Sequence, residues 1–313
     1  MKKLGVLFAV IFLIVVALVG GYIYAEKKAE ERFKAKVEKV LAETGLRENV
    51  KVGKYSVSLI KRQASLEDVK IEPSVEDYGD FLVELKVIKR ISFLEHEEDP
   101  ELEIPTSLKV AFEGIELYIK DKKKGKELPL SLSGLYWYTY QPEKAFLDTG
   151  LNLRGNLFEF EYGFSLKEIE PSLIKELNEI TKEEKLNPSD PRVALLFSKL
   201  LQIKPEKVVL RYYDKGFLRS LAEISSDNPE EEIRTAIANI EREIRKTDSP
   251  YLKAILSGFK KALEKGKGGF EIVFLNKEDL SIQDFVALFA MAKNPDDVTK
   301  VLSSKVEIRV KEL

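Results

Sequence analysis

The feature that most limits how this chain can fold is a period-two alternation of apolar and polar side chains between residues 50 and 166. The alternation is clearest in the segment NLFEFEYGFSL, residues 156–166. One side of this segment holds Phe158, Phe160, Tyr162, Phe164 and Leu166. A period of two residues predicts a β-strand that buries one face.

Five earlier segments carry the same alternation and are also predicted as strands. They span residues 54–60, 81–93, 108–119, 128–140 and 145–155. In the third of them the apolar positions change register at Gly114, which predicts a β-bulge or bend. Turn-like sequences such as residues 141–144 separate neighbouring segments, so the pattern favours an antiparallel meander.

The second half of the chain mixes helical and strand patterns. A polar stretch at residues 179–191 is the best candidate for an internal boundary. Amphipathic helices are predicted from Arg192, over residues 229–247 and over residues 249–265, and a capping box of Ser281 with Asp284 begins another. Asn294 begins a further helix, and strands are predicted within 206–217, at 270–275 and at 305–310.

An uncharged apolar run at residues 4–25 is long enough to cross a bilayer, for which a helix needs about 20 residues. A cleaved signal peptide is the competing interpretation, since two lysines precede the run and its last three residues offer a cleavage site. The run is longer than the ~7–15 apolar residues usual in a signal peptide, so we favour a retained anchor. Tyr22 and Tyr24 are the predicted membrane-interface residues.

The orientation of this anchor depends on two opposing signals. Six basic residues between 27 and 39 outnumber the two lysines before the run, and that count alone favours a cytoplasmic domain. We favour export, because the basic residues alternate with glutamates along a helix and long domains translocate largely regardless of flanking charge. The predicted location is the inner, cytoplasmic membrane, with a single span and a periplasmic C-terminal domain.

The stretch that follows the anchor has an amphipathic helical pattern. Its apolar stripe consists of Ala29, Phe33, Val37, Val40 and Leu41. We expect this stripe to pack on the protein's own sheet rather than on the membrane surface.

These patterns predict an α+β fold in which amphipathic helices pack on a twisted or curled antiparallel sheet. The predicted organisation is a transmembrane anchor at 1–25, a helical stalk at 26–45 and an antiparallel β-rich domain at 46–170. A mixed helix and strand portion at 171–313 completes or covers the sheet.

Charge and composition exclude several function classes. The 51 basic residues balance 53 acidic ones, so the chain lacks the positive excess expected of a nucleic-acid-binding protein. The absence of cysteine excludes disulfides and thiolate sites, and the high charged fraction with two methionines is typical of heat-adapted organisms.

Motifs for catalysis are missing from the sequence. His96, the single histidine, lies in the acidic run 95–99, which we interpret as a solvated loop rather than a metal site. No G-x-S-x-G segment accompanies it, and KGKGG at 265–269 follows a helix rather than a strand, unlike a phosphate-binding loop. We therefore predict that the protein is not an enzyme and uses no cofactor or metal.

The strand pair after the stalk ends in a short motif that consists of Leu66, Asp68, Val69 and Ile71. The segment LKVIKRISF follows it. With the anchor and stalk, this order resembles the opening of the AsmA-like bacterial envelope proteins over roughly the first 120 residues. The remainder resembles uncharacterised membrane-anchored bacterial proteins. The resemblance implies a long antiparallel sheet in the periplasm whose apolar face carries phospholipid between membranes, or that assists envelope assembly. It brings no catalytic residues.

Two functional hypotheses follow. The first is a membrane-anchored lipid-binding protein, active in phospholipid transport or membrane homeostasis. Its candidate lipid contacts are Trp137, Phe158, Phe160, Tyr162 and Phe164. The alternative is a ligand-free assembly scaffold that closes its sheet with its own helices and pairs a sheet edge with another envelope protein.

Overall fold

The computed structural model describes residues 26–58, 62–72, 75–99, 104–182, 191–291 and 304–313. The predicted anchor, with Tyr22 and Tyr24, lies outside the described residues, and so does the helix predicted from Asn294. Within the described ranges, no helix combines the length and the apolar character needed to cross a membrane.

In the part of the chain that the structure describes, eleven strands pair antiparallel into one large, open sheet. They are β1 (Val50–Ser58), β2 (Gln63–Ile71), β3 (Val75–Tyr78), β4 (Phe81–Asp99), β5 (Ile104–Asp121), β6 (Glu127–Gln141), β7 (Phe146–Gly155), β8 (Phe158–Lys167), β9 (Lys204–Asp214), β10 (Gly268–Leu275) and β11 (Glu307–Glu312). The spatial order is β1-β2-β4-β5-β6-β7-β8-β9-β10-β11, and β3 pairs with the start of β4.

Within the described ranges, seven α-helices accompany the sheet, so the predicted α+β class is confirmed. They are α1 (Glu26–Glu43), α2 (Pro171–Lys182), α3 (Pro191–Gln202), α4 (Phe217–Ser225), α5 (Pro229–Lys246), α6 (Pro250–Lys265) and α7 (Ile282–Met291). A short 3-10 helix at Pro142–Lys144 connects β6 to β7.

One face of the sheet is apolar across nearly its whole width. Directly paired residues of an antiparallel ladder share a face, so one row of partners can be followed from strand to strand. From β1 to β10 this row contains Tyr55, Leu66, Ile91, Phe112, Gly134, Leu153, Phe160, Tyr212 and Phe270. We call this the apolar face and the other the polar face.

Helix α1 covers the β1 to β5 part of the apolar face. Its predicted stripe is fully buried, with Val37 at 0% exposure, and Phe33 packs edge-to-face on Tyr55 and Phe93. The expectation that this stripe packs on the protein's own sheet is confirmed.

The other helices cover the two ends of the sheet, which we name after Gln141 and Gly155. At the Gly155 end, α4 covers β5 and β6, and α6 places Phe259 against Phe270 of β10. At the Gln141 end, α2, α3 and α7 pack on the ends of β6 to β8 and on the start of β9. The middle of the apolar face lies between these groups of helices.

Local predictions agree with the structure at most elements and fail at two. The register of β5 shifts between Phe112 and Ile115, so the bulge predicted at Gly114 is confirmed. The acidic run 95–99 is not a loop, because β4 continues through it and pairs with β5 up to Asp99. Helix α2 has no counterpart in the sequence-based prediction.

Candidate functional site

Three aromatic side chains of β8 lie in the middle of the apolar face. These are Phe160, Tyr162 and Phe164, which we call the central stripe. Alternate residues of a strand point to the same side, so the stripe is about 14 Å long. The alternation of apolar and polar residues in β8 was sufficient to predict that these three share a face.

The rings of the central stripe contact one another along the strand. The centroids of Phe160 and Tyr162 are 6.2 Å apart, and those of Tyr162 and Phe164 are 6.3 Å apart with nearly parallel planes, 15° from each other. Aromatic pairs at these separations attract each other beyond simple burial. The stripe is therefore one continuous apolar surface rather than three separate side chains.

Neighbouring strands widen this surface. Leu153 and Leu151 of β7 lie opposite Phe160 and Tyr162, and on the other side Leu210 and Val208 of β9 lie opposite Tyr162 and Phe164. Val208 keeps 38% of its surface exposed. The central stripe thus forms the middle of an apolar floor three strands wide.

The two ends of the β8 face are covered, whereas the stripe between them is not part of a buried core. Phe158 packs against Phe217 of α4 with centroids 5.2 Å apart, and Leu166 packs in the cluster that α2 and α3 build. Within the described residues, no buried core cluster includes the central stripe, and its three side chains remain half-buried. The central stripe is therefore an apolar surface that the helices at its two ends leave half-exposed.

Polar groups occur at one margin of this floor. The hydroxyl of Thr149 on β7 donates a hydrogen bond to the carbonyl oxygen of Trp137 at 2.8 Å and lies 3.3 Å from the hydroxyl of Tyr136. Burial raises the pKa of Tyr136, so this hydroxyl stays neutral at physiological pH. Thr149 lies opposite Phe164, so these two hydroxyl groups are at the Phe164 end of the central stripe.

Trp137 does not belong to the site. It pairs with Lys109 and Gly150 on the polar face, and its indole Nε1 donates to Asp148 at 3.1 Å. The candidate lipid contacts are therefore divided: the structure brings Phe158, Phe160, Tyr162 and Phe164 together, and it places Trp137 on the opposite side of the sheet.

A separate depression of about 410 Å³ opens at the Gln141 end. Its lining consists of Gln141, Lys144, Phe146, Lys167, Glu168 and Glu206. Lys167 forms an ion pair with Glu206 at 2.9 Å, so the charges of this depression are already partly matched. It does not suit an acyl chain, because five of its six lining side chains are polar.

The described residues hold no cluster of three or more histidine, cysteine, aspartate or glutamate side chains that could bind a metal ion. His96 projects from β4 opposite Leu108 on the apolar face, near Lys36 of α1. No protein-family model matches the chain, and a search among curated proteins finds no match.

Proposed function

We propose that this chain is a single-pass membrane protein of the bacterial envelope whose exported domain holds a phospholipid acyl chain on the central stripe. One observation supports the proposal above the others: three aromatic rings stay half-buried in the middle of an apolar face that helices cover at both ends. The apolar run at residues 4–25 and the resemblance to AsmA-like proteins support it independently.

Physical chemistry favours such a ligand. Each methylene group that leaves water for an apolar surface gains about 0.8 kcal/mol, so an acyl chain binds here without specific polar contacts. Ten strands spaced by about 4.8 Å give a sheet about 50 Å wide, which is short for a bridge across an envelope. The proposed role is therefore local, at the membrane that holds the anchor.

The test is phospholipid content. The full-length chain is purified from membranes in mild detergent, and its bound lipid is measured by native mass spectrometry and by extraction. We expect phospholipid to co-purify with the wild type and to be lost from Phe164→Asp while the circular dichroism melt is retained. A wild type without lipid, or a Phe164→Asp variant that unfolds, contradicts the proposal.

Tyr213 supplies a matched control for this substitution. It lies on β9 next to Tyr212, is also half-buried, and faces the polar side because it pairs with Glu159. Tyr213→Asp therefore introduces the same charge on the same sheet without touching the apolar floor. We expect this variant to keep its lipid.

The scaffold function remains the second candidate because the sheet is open. In the described part of the chain, the outer sides of β1 and β11 pair with no strand, and unpaired backbone groups of an edge can accept a strand from another protein. A lipid-free preparation that retains one envelope protein, and loses it when Arg309 is replaced by proline, favours this function instead.

A further inference from the structure

Two neighbouring helices expose an apolar surface that is separate from the proposed acyl-chain site on the central stripe. Its members are Leu195 and Phe197 of α3 and Val286 and Phe289 of α7, and we call it the α3–α7 patch. They keep 56%, 61%, 56% and 48% of their surface exposed. Leu195 and Phe197 flank the buried Leu196 on the two sides of α3, because residues two apart on a helix do not share a face. Large apolar side chains that stay exposed on neighbouring helices mark a contact with a partner or a membrane.

The two helices are fixed to each other and to the sheet by different residues. The backbone N–H of Ile282 donates to the carbonyl of Ile203 at 2.8 Å, and Gln202 bonds Gln283 at 2.8 Å. Leu196 and Phe285 are the buried side chains of α3 and α7. The residues of the patch are therefore different from the residues that hold the two helices in place.

The patch lies at the Gln141 end of the sheet. Helix α3 leads directly into the start of β9, and α7 follows the end of β10. The start of β9 and the end of β10 are paired with each other, Lys207 with Leu275, and lie beside the end of β8. Both helices thus extend from the same end of the sheet.

The N-terminus of α1 lies at this end as well. Phe33 packs on Phe93, whereas Leu46 after the helix accepts a hydrogen bond from the N–H of Val50 at the start of β1. Helix α1 therefore runs antiparallel to β1, from the Gln141 end toward the Gly155 end. Because residues 4–25 directly precede α1, their attachment point is at the Gln141 end.

We propose that the α3–α7 patch inserts into the lipid bilayer that receives residues 4–25, in the zone between headgroups and acyl chains. This inference rests on the anchor of the proposed function. Four strand spacings separate β4, beneath α1, from β8, so the anchor and the patch are about 20 Å apart across the sheet. Two attachments at this spacing fix the orientation of the domain, with the Gln141 end toward the membrane.

The bilayer is favoured over a protein partner by the position of the patch. A tethered domain holds its anchor end within reach of lipid, and apolar helix faces in that position bury about 5–10 Å into the interface. From Phe285 to Met291, α7 carries no charge, as expected of a lipid-facing helix. Its exposed face therefore matches a lipid surface in chemistry as well as in place.

The test uses the absence of cysteine in the native chain. Full-length Phe197→Cys and Phe289→Cys are labelled with NBD and reconstituted into phosphatidylethanolamine–phosphatidylglycerol vesicles with or without doxyl-labelled lipid. Tyr78→Cys is the matched control, because Tyr78 is 39% exposed on β3 at the Gly155 end. Doxyl lipid should remove most of the emission at positions 197 and 289 and leave that at 78 unchanged.

A second variant tests the same contact without moving the label. Val286→Glu with Phe289→Glu should restore the emission of the label at position 197, and Val75→Glu with Tyr78→Glu should not. Both pairs replace exposed side chains, so folding is preserved.

Flotation of the vesicles separates the two levels of the hypothesis. Labelled chains that float but show no quenching at 197 and 289 overturn the patch and leave the anchor intact. Blue-shifted emission that doxyl lipid does not quench indicates a protein contact and also overturns it. Chains that do not float contradict the anchor itself, and the patch proposal with it.

Discussion

At the scale of single residues, two glycines leave room for the indole of Trp137 on the polar face. Gly150 and Gly163 are paired with each other, and the indole of Trp137 lies over both. A Cβ added at Gly150 would overlap the Trp137 ring and would approach the carbonyl oxygen of Tyr162 to 2.6 Å. At Gly163 the same atom would stay 3.5 Å from the ring, an ordinary contact.

Replacement by alanine should therefore have a large effect at Gly150 and a small one at Gly163. Gly150→Ala should lower the free energy of unfolding by about 1–3 kcal/mol, because the added methyl group overpacks against the indole and the backbone. Gly163→Ala should change it by less than about 0.5 kcal/mol. Urea denaturation followed by circular dichroism measures both. Equal effects at the two positions would show that Trp137 does not rest on Gly150.

Lys36 illustrates a buried charge that lacks a hydrogen bond. Its Nζ is buried, and among the described residues it has no hydrogen-bond partner. Burial lowers the pKa of this lysine from its ordinary value of 10.5, and the negative charge of Glu98 partly offsets that effect. Since the folded pKa lies below the unfolded one, the buried charge of Lys36 lowers the stability at pH values below the folded pKa, and this cost disappears as the pH rises above 10.5.

Lys36→Met should therefore stabilise the protein at neutral pH, by about 1 kcal/mol, since an unpaired buried polar group is removed. The gain should shrink as the pH rises toward 10.5, where the unfolded wild type also loses its proton. Thermal melts at pH 7 and pH 10 measure this difference. Lys39→Met, at a side chain 73% exposed, is the control and should show neither effect.

At the scale of elements, the strands could be predicted from the sequence, whereas the parts of the sheet that the helices cover could not. The alternation of apolar and polar residues placed β4 to β8 correctly. It also indicates the face of Trp137, because Leu130, Leu132 and Tyr136 occupy even positions of β6 and Trp137 occupies an odd one. The continuation of β4 through residues 95–99 depends on pairing with β5, the other strand of the same hairpin, and the acidic composition of the run alone does not encode that pairing.

Helix α2 carried a local signal that was available in the sequence. Pro171 at its first position and Leu173, Ile174 and Leu177 at helical spacing are typical of an amphipathic helix start. No local sequence pattern predicted that the central stripe stays half-exposed. It depends on where α1, α4 and α2 end on the sheet, so the sequence predicted an apolar face and left open whether it was a groove or a core.

Helix α4 begins on a single carboxylate. Asp214, fully buried at the end of β9, accepts hydrogen bonds from the N–H of Gly216 at 2.7 Å and of Leu218 at 3.2 Å. The hydroxyl of Tyr212 donates to the same carboxylate at 2.6 Å. One side chain thus joins the sheet, the turn and the first turn of the helix that covers the Gly155 end.

Asp214→Asn should lower the free energy of unfolding by about 1–3 kcal/mol, because an amide NH₂ then faces donors inside a buried site. Asp227→Asn, at a carboxylate 94% exposed that pairs with Lys124, should leave the free energy of unfolding nearly unchanged. Chemical denaturation of both variants provides the comparison. An unchanged Asp214→Asn protein would mean that α4 does not depend on this cap.

At the scale of the whole molecule, the sheet crosses the boundary expected near residue 170. The last strand before it, β8, pairs along its length with β9, the first strand after it. Helix α4 from the second part covers Ile119, Leu128 and Leu130 of the first. Each part therefore completes the buried surface of the other, which favours a single cooperative unit.

A single unfolding transition follows from this arrangement. Trp137, the single tryptophan, reports on β6 through its fluorescence, and a fluorophore on Arg234→Cys reports on α5 in the other part from an exposed position. We expect both signals to give the same urea midpoint for the full-length chain in detergent, because loss of β9 or α4 uncovers β8 and the core beneath it. Two separate midpoints would show instead that residues 46–170 and 171–313 unfold independently, and that the pairing of β8 with β9 contributes little to stability.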